Sequence, residues 1–297
     1  MDMKLNCEKT KNQDSYVGQV VDERYEIKSY LGKGATGVVY AAYDIVDKRD
    51  VAIKILRNKC QMTPKYIERF KKEAKAINFL DHENLAKVEK LKLEGPQIYI
   101  ISEYVKGSNL CRCDGFVKGF KVNKIIKYMQ QILKVTEYLH NKGVIHKDIR
   151  PQNILLTEQD NVKIIDLGVA DFPGDELKLP FYREMGEVHY LAPEIVRGDD
   201  YDKRADIYSI GILLYRLLTG AVPFDSHRSI LVGIMHSKKP PRSVRSIVPY
   251  ISEELDRITL KAIEKSPENR YGTAEEMLDD INNYADTEYK KGEVMLG

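Results

Sequence analysis

Apolar and polar positions alternate early in the chain and recur at helical spacing later. Tyr25, Ile27 and Leu31, then Val38–Tyr43, then Val51–Leu56, then Gln97–Val105 read as strands rich in β-branched and aromatic residues. Between the third and fourth, Ile67, Phe70, Ala74 and Ile77 form an apolar stripe. It predicts a helix starting near Thr63-Pro64, with Thr as N-cap and Pro in the first turn. Lys106-Gly107-Ser108 breaks the strand pattern, and helical periodicity takes over at Ile132, Leu133, Val135, Tyr138 and Leu139. Asn141-Lys142-Gly143 ends that helix, Val144-Ile145 begins an extended run, and Ile154-Leu155-Leu156 and Val162–Ile165 read as short strands. Residues 169–190 carry few regular signals and predict a long loop, closed by Leu191-Ala192-Pro193-Glu194. Asp206 opens a helix, Ile207 to Leu218, that is apolar on most faces and therefore central. Glu253–Ile263 and Ala274–Tyr284 are amphipathic. The ends, before about Asp22 and after Asp286, read as a loose extension and a frayed polar tail.

The polar exceptions within this pattern carry the chemistry. His146-Lys147-Asp148-Ile149-Arg150-Pro151-Gln152-Asn153 holds charged groups between apolar anchors, as a reaction centre does. An Asp there can orient and accept the proton of an attacking hydroxyl, and an Asn five residues on can hold a metal ion. Asp166 ends an apolar strand just before Leu167-Gly168, a second place for a metal, although a lone Asp-x-Gly is more often a plain turn. Gly32-Lys33-Gly34-Ala35-Thr36-Gly37 is followed by a strand and not a helix, so it joins two strands by a glycine turn rather than opening a dinucleotide fold. Lys54 shares a strand face with Ala52. Unless that whole face is solvent-exposed, its ammonium needs a counter-charge or a phosphate. Glu73, on the stripe of the first predicted helix, is the candidate counter-charge.

Composition narrows the class. The chain of 297 residues is long enough for two lobes, and 43% apolar residues can bury a core. Charged residues make up 31% but nearly cancel at +2, which gives no electrostatic reason to expect nucleic acid or an anionic membrane as partner. Cys111 and Cys113 are close but lack the second pair a zinc site needs, so reduced thiols and a cytoplasmic setting are expected. No secretory h-region or membrane-spanning segment is read.

These motifs, in this order, resemble protein kinases, particularly bacterial Ser/Thr kinases of the eukaryotic-like type, from about Tyr25 to Tyr284. The resemblance implies an α+β, two-lobed fold: a small antiparallel-sheet N-lobe with one long helix, and a mainly helical C-lobe. Its bounds fall at 1–24 for an extension, 25–105 for the N-lobe, 106–286 for the C-lobe and 287–297 for a tail. It implies Mg-ATP, with manganese the alternative ion, held in the interlobe cleft. Gly32, Gly34, Gly37 and Val39 match the loop over ATP, Lys54 the lysine on the α- and β-phosphates, and Glu73 its partner. Ala52, Val39 and Leu155 would enclose adenine, with Ser102, Glu103 and Val105 along its edge. Asp148 matches the catalytic Asp, Arg150 the group on the transferring phosphoryl, and Asn153 and Asp166 the metal ligands. His146, Leu167 and Ile77 would stack as an internal spine, Glu194 and Arg270 would form a buried ion pair, and Asp206 would brace the catalytic loop.

Four positions depart from the pattern. Lys147 stands where Arg is usual, Arg150 where Lys is usual, Leu167 in the middle of the metal-binding triplet, and Glu187 where Thr is expected. No Ser or Thr occurs from Asp166 to Glu194, so Ser/Thr phosphorylation of this segment is not available, and Glu184 or Glu187 would supply standing negative charge near Lys147. Arg150 and Glu187 would form an ion pair. The activity implied is transfer of the γ-phosphoryl group to Ser or Thr of protein substrates, with a second copy of the chain admitted as a partner for autophosphorylation. The rival readings are a pseudokinase scaffold and a small-molecule kinase of related fold.

Overall fold

The computed structural model describes residues 16–33, 37–56, 77–94, 97–113, 120–167, 169–173 and 188–296, with the last nine described through backbone alone. The chain divides into two compact units: residues 1–81 with 86–105, and residues 82–85 with 106–297.

The first unit is built on a six-stranded sheet in the spatial order β1-β2-β3-β4-β6-β5, every neighbouring pair antiparallel. The strands are β1 (Val20–Val21), β2 (Tyr25–Lys33), β3 (Gly37–Asp44), β4 (Arg49–Leu56), β5 (Val88–Lys92) and β6 (Tyr99–Glu103). Alternation sorts their side chains onto two faces. Tyr40, Ile53 and Ile101 lie on one cross-strand row and Ala42 and Val51 on another, all on one face. These residues join Tyr25, Ile27, Ile55 and Tyr99 in a buried core, with edge-on ring contacts Tyr25–Tyr99, Tyr16–Tyr40 and Tyr30–Tyr40. Buried Asp44 closes the β3–β4 turn: its carboxylate accepts two bonds from the Arg24 guanidinium and two from the N–H groups of Val46 and Asp47. The strand predicted over Gln97–Val105 is shorter, Tyr99–Glu103. The helix predicted from Thr63 lies outside the described residues except at Ile77, which is helical.

The second unit is mainly helical. It contains α1 (Val122–Asn141), α2 (Pro193–Arg197), α3 (Arg204–Thr219), α4 (Ser229–Lys238), α5 (Glu253–Ala262) and α6 (Ala274–Leu296). A small antiparallel sheet runs β7 (Gly107–Asn109), β8 (Ile154–Thr157), β9 (Val162–Ile164). Helix α3 is buried from Ala205 to Leu218 at every position but Arg216, as an all-round apolar helix must be, and it packs on α1 and α5. Helix α1 packs on α6 through its apolar stripe. Asn84, from the short 82–85 segment, is anchored here: its side-chain amide donates to Gln131 Oε1 at 2.9 Å and to Val162 O at 2.8 Å. The strand β7 and the short helix α2 are not read from the sequence, and two larger features also depart from it. Helix α4 is not foreseen. Helix α6 continues to Leu296 where a frayed tail is expected; Glu288, Lys290, Lys291 and Glu293 are good helix formers, and polarity alone does not end a helix.

Candidate active site

On the first unit, the predicted nucleotide residues share one sheet face. Lys54 faces Val39 on β3 and Ile100 on β6, and Ala52 faces Ala41 and Ser102. Gly32 opposes Val39. Gly32, Val39, Ala52, Lys54 and Ser102 therefore lie on the side opposite the tyrosine-rich core, as strand periodicity demands. Val39, Ala52, Lys54 and Ser102 are half-buried, so this face is not a plain solvated surface. A Cβ on Gly32 would meet nothing within 4 Å, whereas one on Gly37 would stand 2.5 Å from the Ile55 carbonyl oxygen. Gly37 thus lets β3 approach β4, a packing need beside any role over a phosphate. Glu103 ends β6, paired with Val51 on β4 on one side; on the other its N–H donates to Lys87 O at 2.8 Å, and its carboxylate accepts from Lys87 N. Val105 follows β6, half-buried. Gly34 and Glu73 lie outside the described residues, so the Lys54–Glu73 pair expected from the sequence lies outside them too.

On the second unit, the loop after α1 is held by one carboxylate. Asp206, fully buried, accepts from the backbone N–H of His146 and of Lys147, each at 2.8 Å, and pairs with His140 Nε2 at 2.9 Å. Burial alone would raise its pKa. The His140 bond and the other donors overturn that and hold it low. Lys147 takes φ +63°, a left-handed conformation that costs a non-glycine residue about 1–3 kcal/mol and persists because the surroundings fix it. The next N–H, on Asp148, donates to His146 Nδ1 at 3.2 Å, which makes Nδ1 the acceptor nitrogen of a buried imidazole whose pKa is lowered by that burial.

This anchoring brings three predicted residues together. Asn153 Nδ2 donates to the Asp148 backbone oxygen at 2.9 Å and to its Oδ2 at 2.6 Å. Arg150 Nε stands 2.8 Å from Asp148 Oδ1 as an ion pair, with its N–H not aimed for a hydrogen bond. Ile165 N donates to Asn153 O at 2.9 Å, which ties the end of β9, and so Asp166, to the same loop. Asp166 has φ +67° and is half-buried, while Leu167 beyond it is buried. Leu155 lies half-buried on β8. Glu187, the expected partner of Arg150, lies outside the described residues; among those described, Asp148 is the carboxylate at Arg150.

The oxygen donors suit a hard cation. No hydrogen bond among the described residues uses the Asn153 side-chain oxygen, and Asp166 adds a carboxylate. Magnesium is characteristically held by one or two such oxygens with water and phosphate completing its shell. Among the described residues no group of three or more His, Cys, Asp or Glu is placed to hold a metal ion.

Further along, Arg270 clasps Glu194 with two parallel bonds, Nη1–Oε1 2.7 Å and Nη2–Oε2 2.8 Å, both groups buried. The sequence pattern of the protein kinase domain matches residues 25–281. The chain belongs to the protein kinase domain family. Among similar proteins, this kinase domain is 35% identical over 270 residues to a probable serine/threonine-protein kinase of Clostridium acetobutylicum (90% of this chain, 41% of that protein). It is 35% identical over 272 residues to the serine/threonine-protein kinase PrkC of Bacillus subtilis (92% and 42%). It is 36% identical over 269 residues to the serine/threonine-protein kinase PknB of Mycobacterium leprae (88% and 43%). The chain thus spans about two fifths of the length of these relatives. No described helix is long and apolar enough to cross a membrane.

Sequence reasoning missed three groups around this kinase loop. His140, on the last turn of α1, reads as a helix end and is the Asp206 partner. Asp171 and Tyr201 reach Lys147: Lys147 Nζ is 2.6 Å from Asp171 Oδ1, and the Tyr201 hydroxyl donates to Asp171 Oδ2. Tyr190 is buried and its hydroxyl accepts from Arg216 Nη1 at 3.2 Å, so it is no exposed phosphorylation site. The apolar run flanking Asp171 (Val169, Ala170, Phe172) is the signal that could have marked it as an inward-held carboxylate.

Proposed function

We propose that the chain is a protein serine/threonine kinase domain that transfers the γ-phosphoryl group of Mg-ATP to a hydroxyl of a protein substrate. The observation that carries this reading is the buried Asp206 holding a loop on which Asp148, Arg150 and Asn153 converge, in a chain of the kinase family. The acceptor oxygen attacks the γ-phosphorus, the bond to the β-γ bridging oxygen breaks, and the hydroxyl proton passes to the Asp148 carboxylate. Asn153 holds Asp148 in place through its amide nitrogen. Asn153 and Asp166 would hold magnesium, which supplies charge neutralisation at the phosphates. Arg150, already at Asp148, offers its remaining guanidinium donors to the transferring group. Lys54 takes the α- and β-phosphates, the loop of Gly32, Gly34 and Gly37 covers them, and Glu73 orients Lys54. Val39, Ala52 and Leu155 enclose adenine, with Ser102, Glu103 and Val105 beside it. The preference for Ser/Thr rests on Pro151 after Arg150 and on the names of the relatives.

The test is phosphoryl transfer from γ-labelled ATP with magnesium and, in parallel, manganese. A general base contributes about 10²–10⁴-fold, so Asp148→Asn should lose that factor while nucleotide affinity stays within severalfold. Lys54→Met should weaken both. Full transfer by the Asp148→Asn protein would remove the assignment, and no transfer by the unaltered protein with intact nucleotide binding would establish the pseudokinase instead.

A further inference from the structure

Two thiols stand against the loop that carries Asp148 and Asn153. Asn109, the last residue of β7, faces Leu155 on β8 and caps a single 3-10 turn, Leu110–Arg112. That turn packs on the turn Pro151–Asn153. The Asn109 amide nitrogen donates to the carbonyl oxygen of Gln152, the residue before Asn153. Its oxygen Oδ1 accepts twice from Cys111, from the backbone N–H at 3.1 Å and from Sγ at 2.8 Å. Asn109 thus links the Cys111 thiol to the stretch in which Asn153 Nδ2 braces the Asp148 carboxylate.

Cys113 turns to the same asparagine. Its Sγ lies 3.4 Å from the Asn109 backbone oxygen and 3.9 Å from that of Ser108. Arg112 between the two cysteines is exposed, whereas both cysteines are half-buried, and neither is in a disulfide. Positions i and i+2 of a 3-10 turn have their Cα atoms about 5 Å apart, within the span that a disulfide bridges. Two sulfurs gathered on one residue at that spacing make a dithiol rather than two independent thiols.

We infer that Cys111 and Cys113 are a modification site, oxidised by hydrogen peroxide to an intramolecular disulfide that slows phosphoryl transfer. The Cys113 thiolate attacks one peroxide oxygen and the O–O bond breaks, which leaves a sulfenic acid; the departing hydroxide takes up the proton released by the thiol and becomes water. The Cys111 thiolate then attacks the Cys113 sulfur, the S–O bond breaks, and a second water forms in the same way. The two thiols lose two electrons and the peroxide gains them. The new S–S bond removes the S–H donor from Asn109 Oδ1 and draws Cys111 Sγ away from it. The bond from Asn109 to Gln152 loosens in turn, and with it the brace on Asp148. The effect on turnover rests on the kinase reading, but the disulfide is detected without turnover.

The chain has four cysteines, so the test uses the full chain with Cys7→Ser and Cys60→Ser. Peroxide-treated protein is alkylated and digested with trypsin, which cuts after Arg112 and separates residues 107–112 from 113–118. The two peptides should be recovered joined, two hydrogens lighter than their sum, from protein that runs as a monomer on a non-reducing gel. Phosphoryl transfer should fall about tenfold or more and return with dithiothreitol. Cys111→Ser keeps a hydroxyl donor for Asn109, so it should match the untreated rate and hold it under peroxide. The inference fails if the peptides stay separate or are joined only in a dimer. It fails also if the joined protein keeps its full rate, or if Cys111→Ser loses as much. Absence of transfer in the untreated protein would sink the kinase reading and the slowing with it, whereas the joined peptides stand or fall on the thiols alone.

Discussion

Lys147 Nζ stands 2.6 Å from Asp171 Oδ1, with only 5% of the lysine side chain exposed. The Tyr201 ring lies 5.6 Å from the same ammonium, and its hydroxyl donates to the other oxygen of Asp171. Asp171 is fixed in turn by two backbone bonds with Ile145, at 2.9 and 3.0 Å. Among the described residues Asp171 places negative charge at Lys147, while Glu184 and Glu187, from which such charge is expected, lie outside them. Phosphatase-treated protein should therefore keep its activity within about twofold. Removing one partner of a desolvated pair costs about 3–5 kcal/mol, so Asp171→Asn should lower stability by about 3 kcal/mol. Lys147→Met alone should cost about as much, and Lys147→Met combined with Asp171→Asn should lose less than the sum of the two. Losses that simply add across the three proteins would show that the pair is not coupled.

The Glu194–Arg270 clasp makes a second, independent stability prediction. Arg270 also donates to the backbone oxygens of Glu264, Lys265 and Arg204, so one guanidinium gathers three stretches of chain. Arg270→Lys loses the planar fork and should cost about 3 kcal/mol or more in urea unfolding. A cost under about 1 kcal/mol, the range of an exposed pair, would contradict the burial described.

Acid should destabilise the second unit earlier than ordinary carboxylate titration would. His236, fully buried with Nδ1 at the Tyr208 hydroxyl, is pushed down to about 3 by burial, with the Lys265 charge acting in the same direction. The unfolded chain binds this proton below about 6.5 and the folded chain does not until about 3. Unfolded molecules hold more protons in that window, so stability falls as pH drops through it, by up to about 1.4 kcal/mol per unit. His146, lowered by burial, acts in the same sense. Melting temperatures at pH 7.5 and 5.5 should differ, and His236→Gln should narrow the gap. An unchanged gap in that variant would place the acid sensitivity elsewhere.

Ser102 gives a prediction on ligand size. It shares a sheet face with Ala52 and Lys54, and its side chain is small. ATP analogues carrying a bulky N6 substituent should compete with ATP on the wild type, and Ser102→Met should weaken them by about tenfold while leaving ATP nearly unaffected. Equal affinity for both proteins would take Ser102 out of the nucleotide site.

Much of this was legible in the sequence because periodicity reports which face a side chain takes. The alternation through Val51–Leu56 separates Lys54 from the core before any coordinates, and the unbroken apolar run of α3 marks its burial. Helix α4 escaped because its apolar residues fall on both its buried and its exposed side, so no amphipathic period stands out. Asp171 escaped because, although its apolar flanks mark it as inward-held, its place beside Lys147 is set by a bridge to Ile145, a pairing between positions 26 apart that names no partner in the sequence. Gly37 is a like case: spacing marks the glycine, but only the approach of Ile55 shows a packing reason for it.

The division of the first sheet into a tyrosine face and a lysine face makes the length of β4 a counted quantity. Ile53, Lys54 and Ile55 are consecutive, so adding or deleting one residue between Arg49 and Ile53 would exchange the two faces. The ammonium of Lys54 would then be driven among Tyr25, Tyr40 and Tyr99, and an isoleucine would stand where the cation belongs. Changes of one residue in this strand should be lost outright, whereas paired changes preserve the parity. Sequence drift here is thus restricted by arithmetic as much as by side-chain chemistry.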